Sequence, residues 1–138
     1  HTAYRRQRQM CIRDSGRNGC VEMVCAGPSL ERYYADRTGK SIRLPEIVTL
    51  ASSGDGDAVA TLERLRSKFA EALAAVINIL DPDAVVIGGG VGNLDLLYEE
   101  KTRAAVTAFL FNDRFDTPLL KPSLGDSAGV FGAAMLVS

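Results

Sequence analysis

The sequence predicts an α/β fold, helix-rich with two readable strands, and three observations carry that expectation. Ala84-Val85-Val86-Ile87 is an apolar, β-branched run too short for a helix and reads as a buried strand. The stretch before it, Asp57 to Leu80, places Ala58, Leu62, Leu65, Phe69, Leu73, Val76, Ile77 and Leu80 at spacings of three and four, the period of an amphipathic helix. Gly88-Gly89-Gly90 follow the run directly, at the carboxyl end of a strand, where open α/β sheets bind their ligands.

The elements read in order as follows. His1 to Arg13 is polar and aperiodic, carries Arg5, Arg6, Arg8 and Arg13, and is read with Asp14 and Ser15 as a disordered or foreign leader, residues 1–15. The chain opens without Met, which fits a junction near Ser15. Gly16 to Gly19 is a loop, and Cys20 to Ala26 a short helical turn closed by Gly27-Pro28. Ser29 is an N-cap candidate for a helix over Leu30 to Arg37, which Thr38-Gly39 ends. Pro45 suits the first turn of a helix to Ala51, and Ser52 to Gly56 is a loop.

In the long helix Glu63, Arg64, Arg66, Lys68 and Glu71 fall mainly on the polar face, while Ala70 to Leu80 is apolar almost all round and predicts deep burial. Asp81-Pro82-Asp83 is the turn that ends it. After the glycines, Gly92 to Asp95 leads into a helix from Leu96 to Phe109, Asn112 to Thr117 is a loop, Leu119 to Pro122 a weak strand, and Gly125 to Val137 a last helix. Two short strands are too few for a stable parallel sheet, so they read as the end of a sheet whose other strands lie upstream.

Composition excludes several classes of function. A net charge of −1 offers no bulk attraction to nucleic acid or to an anionic membrane. No apolar run approaches the ~20 residues that span a bilayer. Three cysteines, Cys11, Cys20 and Cys25, are an odd number without framework spacing, which points to a reducing, cytoplasmic setting. His1 is the only histidine, so neither a metal centre nor a Ser/His/Asp set can be assembled.

Three glycine-marked segments are candidate sites. Gly88-Gly89-Gly90 exposes bare backbone to which a phosphate or nucleoside can come close, or forms a tight turn that binds nothing. It is not a dinucleotide fingerprint, since Asn93 stands where the third glycine belongs, and no Gly-Lys-Ser/Thr makes it a Walker loop. Gly125, Gly129 and Gly132 share one face of the last helix, at a cost of roughly 1 kcal/mol each against alanine. Another helix or a flat ligand can approach that face, and Asp126 at its start either complements the helix dipole or faces a ligand. Glu22, just after the glycine loop ending at Cys20, is a first-turn surface acid or an acceptor for sugar hydroxyls. Arg32, Tyr33 and Tyr34 read as a helix surface.

The order of these motifs resembles the C-terminal half of the ROK family (repressors, uncharacterised frames and sugar kinases). The motifs are Gly16-x-x-Gly19-Cys20-x-Glu22, the Ile79-Leu80-Asp81-Pro82-Asp83 helix end, Val86-Ile87-Gly88-Gly89-Gly90, and Gly125-Asp126-Ser127-x-Gly129-x-x-Gly132-Ala133-Ala134. Val76 to Asp83, and Thr117-Pro118 through Gly125-Asp126-Ser127, look most like the bacterial fructokinase or mannokinase branch. The resemblance covers Gly16 to Ser138 and implies part of an actin-like, ribonuclease H-like lobe from an ATP-dependent kinase of fructose or a related hexose. It implies ATP and Mg2+ as cofactors and a homo-oligomeric parent. Gly88, Gly89, Gly90, Gly125 and Asp126 would then line the ATP site and Glu22 would bind the sugar, while the catalytic base would lie in the N-terminal half.

Cys20 matches the last cysteine of the family zinc motif, but Arg13 and Ser15 stand where its first two cysteines belong, so zinc is not expected on this chain. The alternative that the resemblance allows is the sugar-sensing domain of a ROK repressor, with a DNA-binding segment upstream.

Overall fold

A computed structural model describes residues 21–112 and 114–123, together with Met135. The expectations placed on the leader, on Cys20 and on the helix from Gly125 to Val137 lie outside the described residues. The chain divides into two compact units, His1–Lys68 and Phe69–Ser138.

In the first unit α1 (Val21–Cys25) is followed by α2 (Gly27–Thr38), α3 (Leu44–Ser52) and the first half of α4 (Gly56–Leu80). The predicted break at Gly27-Pro28 is a helix start instead. Ala26 is the extended N-cap residue (φ −71°, ψ 146°), and Pro28, which has no N–H to satisfy, occupies the first turn of α2. Ser29 is therefore not a cap. It is buried inside the helix, where its hydroxyl accepts from Arg32 Nη2 at 3.0 Å. Gly39 closes α2 with a left-handed φ of 72°, as expected of that residue, and its N–H donates to Ala35 O at 2.8 Å. Pro45 starts α3 as predicted, and the Asp55 carboxylate caps α4 by accepting from Ala58 N at 2.8 Å.

Tyr34, Ile47 and Ala58 form the core of this unit, with Ile42, Leu50 and Ala51 packed on it. Tyr34 is thus a core residue and not part of a helix surface. Tyr33 is the surface member of the pair, with the guanidiniums of Arg64 and Arg37 at 4.5 and 5.7 Å from its ring centre. Arg66, predicted on the polar face, is buried and ion-paired to Glu63. The buried stripe of α4 includes Thr61 and Arg66 beside Leu62 and Leu65.

The second unit holds the rest of α4, then β1 (Val85–Val86), two 3-10 turns (Gly90–Asn93 and Asp95–Tyr98), α5 (Glu100–Thr107) and β2 (Leu119–Leu120). Asp81, with φ 43°, ends α4 at the expected turn, its N–H donating to Ile77 O at 2.9 Å. The strands pair in parallel, Val85 with Leu119 and Val86 with Leu120. Val85 and Leu119 pack on a core of Ala70, Leu73, Ala74, Ile77, Val106 and Phe115. Their neighbours face the other way, so Val86 is 60% exposed, and the strand read as buried is buried on one side only. The deep burial predicted for the end of α4 also fails, because Val76, Ile79 and Leu80 are 45%, 80% and 69% exposed. One face of that helix meets the core and the described residues leave the other uncovered.

The single helix predicted from Leu96 to Phe109 is split. Glu99 is extended (φ −67°, ψ 153°) and serves as N-cap residue of α5, and the Thr102 hydroxyl donates back to Leu96 O at 2.5 Å. Side-chain bonding of this kind offers the backbone an alternative to continuous helix. The Asn78 amide clamps the segment that follows, donating to Phe109 O at 3.0 Å and accepting from Phe111 N at 3.1 Å.

Candidate functional site

Gly88 to Asn93 form a turn that leaves the carboxyl end of β1. Ile87 N donates to Leu120 O at 3.0 Å, so the last ladder bond fixes where the turn begins. Gly89 has φ 82° and ψ 171°, a conformation closed to residues with a Cβ. Gly88 and Gly90 have no such φ, and a Cβ on either would meet nothing within 4 Å among the described residues beyond its chain neighbours. Gly92 is the opposite case: a Cβ there would lie 2.4 Å from Ile87 O. Glycine at 89 and 92 is thus explained by the turn, while glycine at 88 and 90 is not. The sequence pattern singles out the first three glycines and marks Gly92 only as the lead into a helix.

Tyr98, which sequence reasoning did not mark, completes the turn. Its hydroxyl donates to Gly92 O at 2.7 Å. Burial pushes the phenol above its ordinary value, with the Lys121 ammonium opposing and the Asp95 carboxylate adding, so the group is a reliable hydrogen-bond donor at neutral pH. No residue-type pattern marks a tyrosine six positions beyond a glycine for this task.

Glu22 is exposed in the first turn of α1, in the first unit, and its backbone carbonyl accepts from Ala26 N at 3.1 Å. Its carboxylate is therefore placed by α1 and presented to solvent. Gly88 to Gly90 belong to the second unit. Gly125 and Asp126 lie outside the described residues, as does Cys20. Among the described residues no cluster of three or more His, Cys, Asp or Glu is placed to hold a metal ion, and none of the helices is long and apolar enough to cross a membrane.

A cavity of about 740 Å³ in the second unit is lined by Asn78, Asp81, Phe111, Arg114 and Asp116, among others. Asp81 precedes β1 and Asp116 precedes β2, so in this parallel pair the cavity sits at the amino ends of the strands. The glycine turn leaves the carboxyl end, where α/β ligand sites are built. The cavity is accordingly a separate feature.

The sequence matches the model of the ROK family over residues 1–138. An N-acetyl-D-glucosamine kinase of Photobacterium profundum is 34% identical over 118 residues, 86% of this chain and 39% of that protein. A protein of the same name from Vibrio cholerae serotype O1 is 34% identical over 121 residues, 88% of this chain and 40% of its own length. Among solved structures, a ROK family glucokinase from Streptomyces griseus in complex with glucose and AMPPNP superposes with a TM-score of 0.71 at 28% identity. That alignment covers 87% of this chain and 45% of the glucokinase. A ROK hexokinase from Thermus thermophilus gives a TM-score of 0.67 at 29% identity, over 85% of this chain and 39% of the other. The architecture is therefore the α/β, actin-like fold of these sugar kinases. The chain spans about 40% of the length of the curated relatives it matches.

Proposed function

Given that this chain belongs to the ROK family, we propose that it is the C-terminal lobe portion, residues 16–138, of an ATP-dependent hexose kinase. The observation that carries the reading is the pair Gly88 and Gly90. Both stand at the carboxyl end of β1, both have open space where a side chain would be among the described residues, and neither has a φ that demands glycine. A ligand lying against the backbone accounts for their bareness where the fold does not. The kinase names of the relatives, and the nucleotide analogue named with the Streptomyces griseus structure, support ATP as that ligand.

ATP, when bound as its magnesium complex, supplies the phosphoryl group. Gly88 to Gly90 would form a wall against it, their backbone N–H groups free of any overlying side chain. Gly125 and Asp126 would stand beside that wall. Glu22 would accept hydrogen bonds from sugar hydroxyls and orient the sugar. Orientation and electrostatics are the larger part of phosphoryl transfer, so a wall and a sugar contact are substantial contributions. The base that takes the sugar hydroxyl proton would come from the N-terminal half. A cytoplasmic, homo-oligomeric parent belongs to the same proposal.

For the sugar, the wording of the helix end and tail favours fructose or a related hexose, whereas the relatives carry N-acetyl-D-glucosamine and glucose in their names. The test is ATP turnover by the full-length protein with fructose, mannose, glucose and N-acetylglucosamine. Sugar-dependent turnover with at least one is expected. Sugar binding without turnover on any of them would replace the kinase with the sugar-sensing repressor.

A further inference from the structure

We propose that Lys121 is a positioning residue for the nucleotide, one that sets the geometry of the Gly88–Asn93 turn without touching the ligand; this rests on the reading of Gly88 to Gly90 as nucleotide-binding. Lys121 directly follows Leu120, the residue whose carbonyl fixes the entry of the turn through Ile87 N at 3.0 Å. From there its ammonium reaches across to the exit. Nζ lies 3.4 Å from Asn93 O and 2.5 Å from Asp95 Oδ1, and 5.1 Å from the ring centre of Tyr98. Tyr98 in turn donates to Gly92 O at 2.7 Å. Entry and exit are therefore tied to two consecutive residues at the end of β2.

The turn needs such a tie because its middle cannot supply one. Gly88, Gly89 and Gly90 have no side chains, no atom of the described residues beyond their chain neighbours lies within 4 Å of where a Cβ would be, and glycine is the residue with the most backbone freedom to lose. Fixing both ends from outside removes that freedom before a ligand arrives, which is the general route by which preorganisation raises affinity. The Lys121–Asp95 pair would do little by itself, since Asp95 is 92% exposed. The tie comes from three contacts converging on one ammonium. An ammonium has three donors, and here Asn93 O and Asp95 engage it while the Tyr98 ring lies against it. Two of its three donors thus point to protein acceptors, while the side chain stays 44% exposed.

The test uses the full-length protein with Lys121→Met, which keeps the stem, Lys121→Ala, and Lys121→Arg as the conservative variant. Lys121→Met is expected to raise KM for ATP by about tenfold, short of the 10²-fold that a misplacement of about 1 Å can cost, with KM for the sugar unchanged and Lys121→Arg restoring most of the loss. Without ligand, the amides of Gly92 and Leu94 should exchange faster while those of α3 do not, which separates a loosened turn from general unfolding. Adenosine and ATP should weaken by the same factor. A loss confined to ATP would make Lys121 a phosphate contact and overturn the proposal. An unchanged KM for ATP in Lys121→Met, with ATP still weakened by Gly90→Val, would overturn it while leaving the turn as the nucleotide site. If Gly90→Val also leaves ATP affinity intact, the site reading itself falls.

Discussion

Replacing Gly92 by alanine should cost far more stability than replacing Gly88 or Gly90, although sequence alone ranks Gly88 to Gly90 above it. A Cβ at residue 92 would lie 2.4 Å from Ile87 O, 3.0 Å from its carbonyl carbon and 3.3 Å from its Cγ2. A carbon–oxygen contact settles at about 3.3 Å, so the methyl and the carbonyl must separate by about 0.9 Å. Both sides are backbone. Gly92 N donates to Gly89 O at 2.9 Å and Gly92 O accepts from Tyr98 at 2.7 Å, so a shift of residue 92 strains two hydrogen bonds. Overpacking of this kind costs about 1–3 kcal/mol, and each weakened hydrogen bond about 1 kcal/mol. The sum is about 3–5 kcal/mol, a large share of the ~5–15 kcal/mol that holds a domain together. At Gly88 and Gly90 alanine meets nothing, and it narrows the unfolded ensemble, so a change of up to about 1 kcal/mol toward stability is expected. Urea titration followed by far-UV circular dichroism reads the difference as a midpoint lower by on the order of 1 M for Gly92→Ala. A Gly92→Ala midpoint equal to wild type, with Gly88→Ala strongly lowered, would refute the assignment of which glycine serves the turn and which serves the ligand.

Other outcomes are expected. Burial, and secondarily the Asp55 and Asp57 carboxylates, hold the Tyr34 phenol above its ordinary value against the Thr38 hydrogen bond. Above pH ~10 the unfolded phenol loses its proton while the folded one keeps it. The unfolded state then binds fewer protons, and stability falls as pH rises. Urea midpoints at pH ~9 and ~11 measure this, and Tyr34→Phe should flatten the fall without abolishing it, because Tyr98 is shifted the same way. The 138-residue chain by itself should self-associate through Val76, Ile79, Leu80 and the 88%-exposed Phe111. Analytical ultracentrifugation should show association that Ile79→Glu reduces, and a concentration-independent monomer would contradict it. After chelator washing this chain should carry no stoichiometric zinc by elemental analysis, because a structural site needs four ligands and Arg13 and Ser15 stand where the resemblance would put two cysteines.

Much of the fold was legible because its causes are local. The three- and four-residue spacing of Ala58 to Ile77 marks α4, Pro45 marks the start of α3, Gly39 marks the end of α2, and Val85-Val86 before three glycines marks a strand and its exit. Each depends on interactions within a few residues: a period, a cap, a φ. Motif order was enough to identify the family, since spacing along the chain is itself sequence information. Tertiary structure decided what depends on residues far apart. Arg66 is buried because of what packs beside it, and α4 stays exposed at Val76 and Leu80 because the described residues cover only its other face. Gly92 is required by a carbonyl on the far side of the turn. Lys121 holds that turn across 28 residues of chain. A contact across such a separation leaves no periodicity and no cap at either end, because the two residues become neighbours only when the backbone between them has folded.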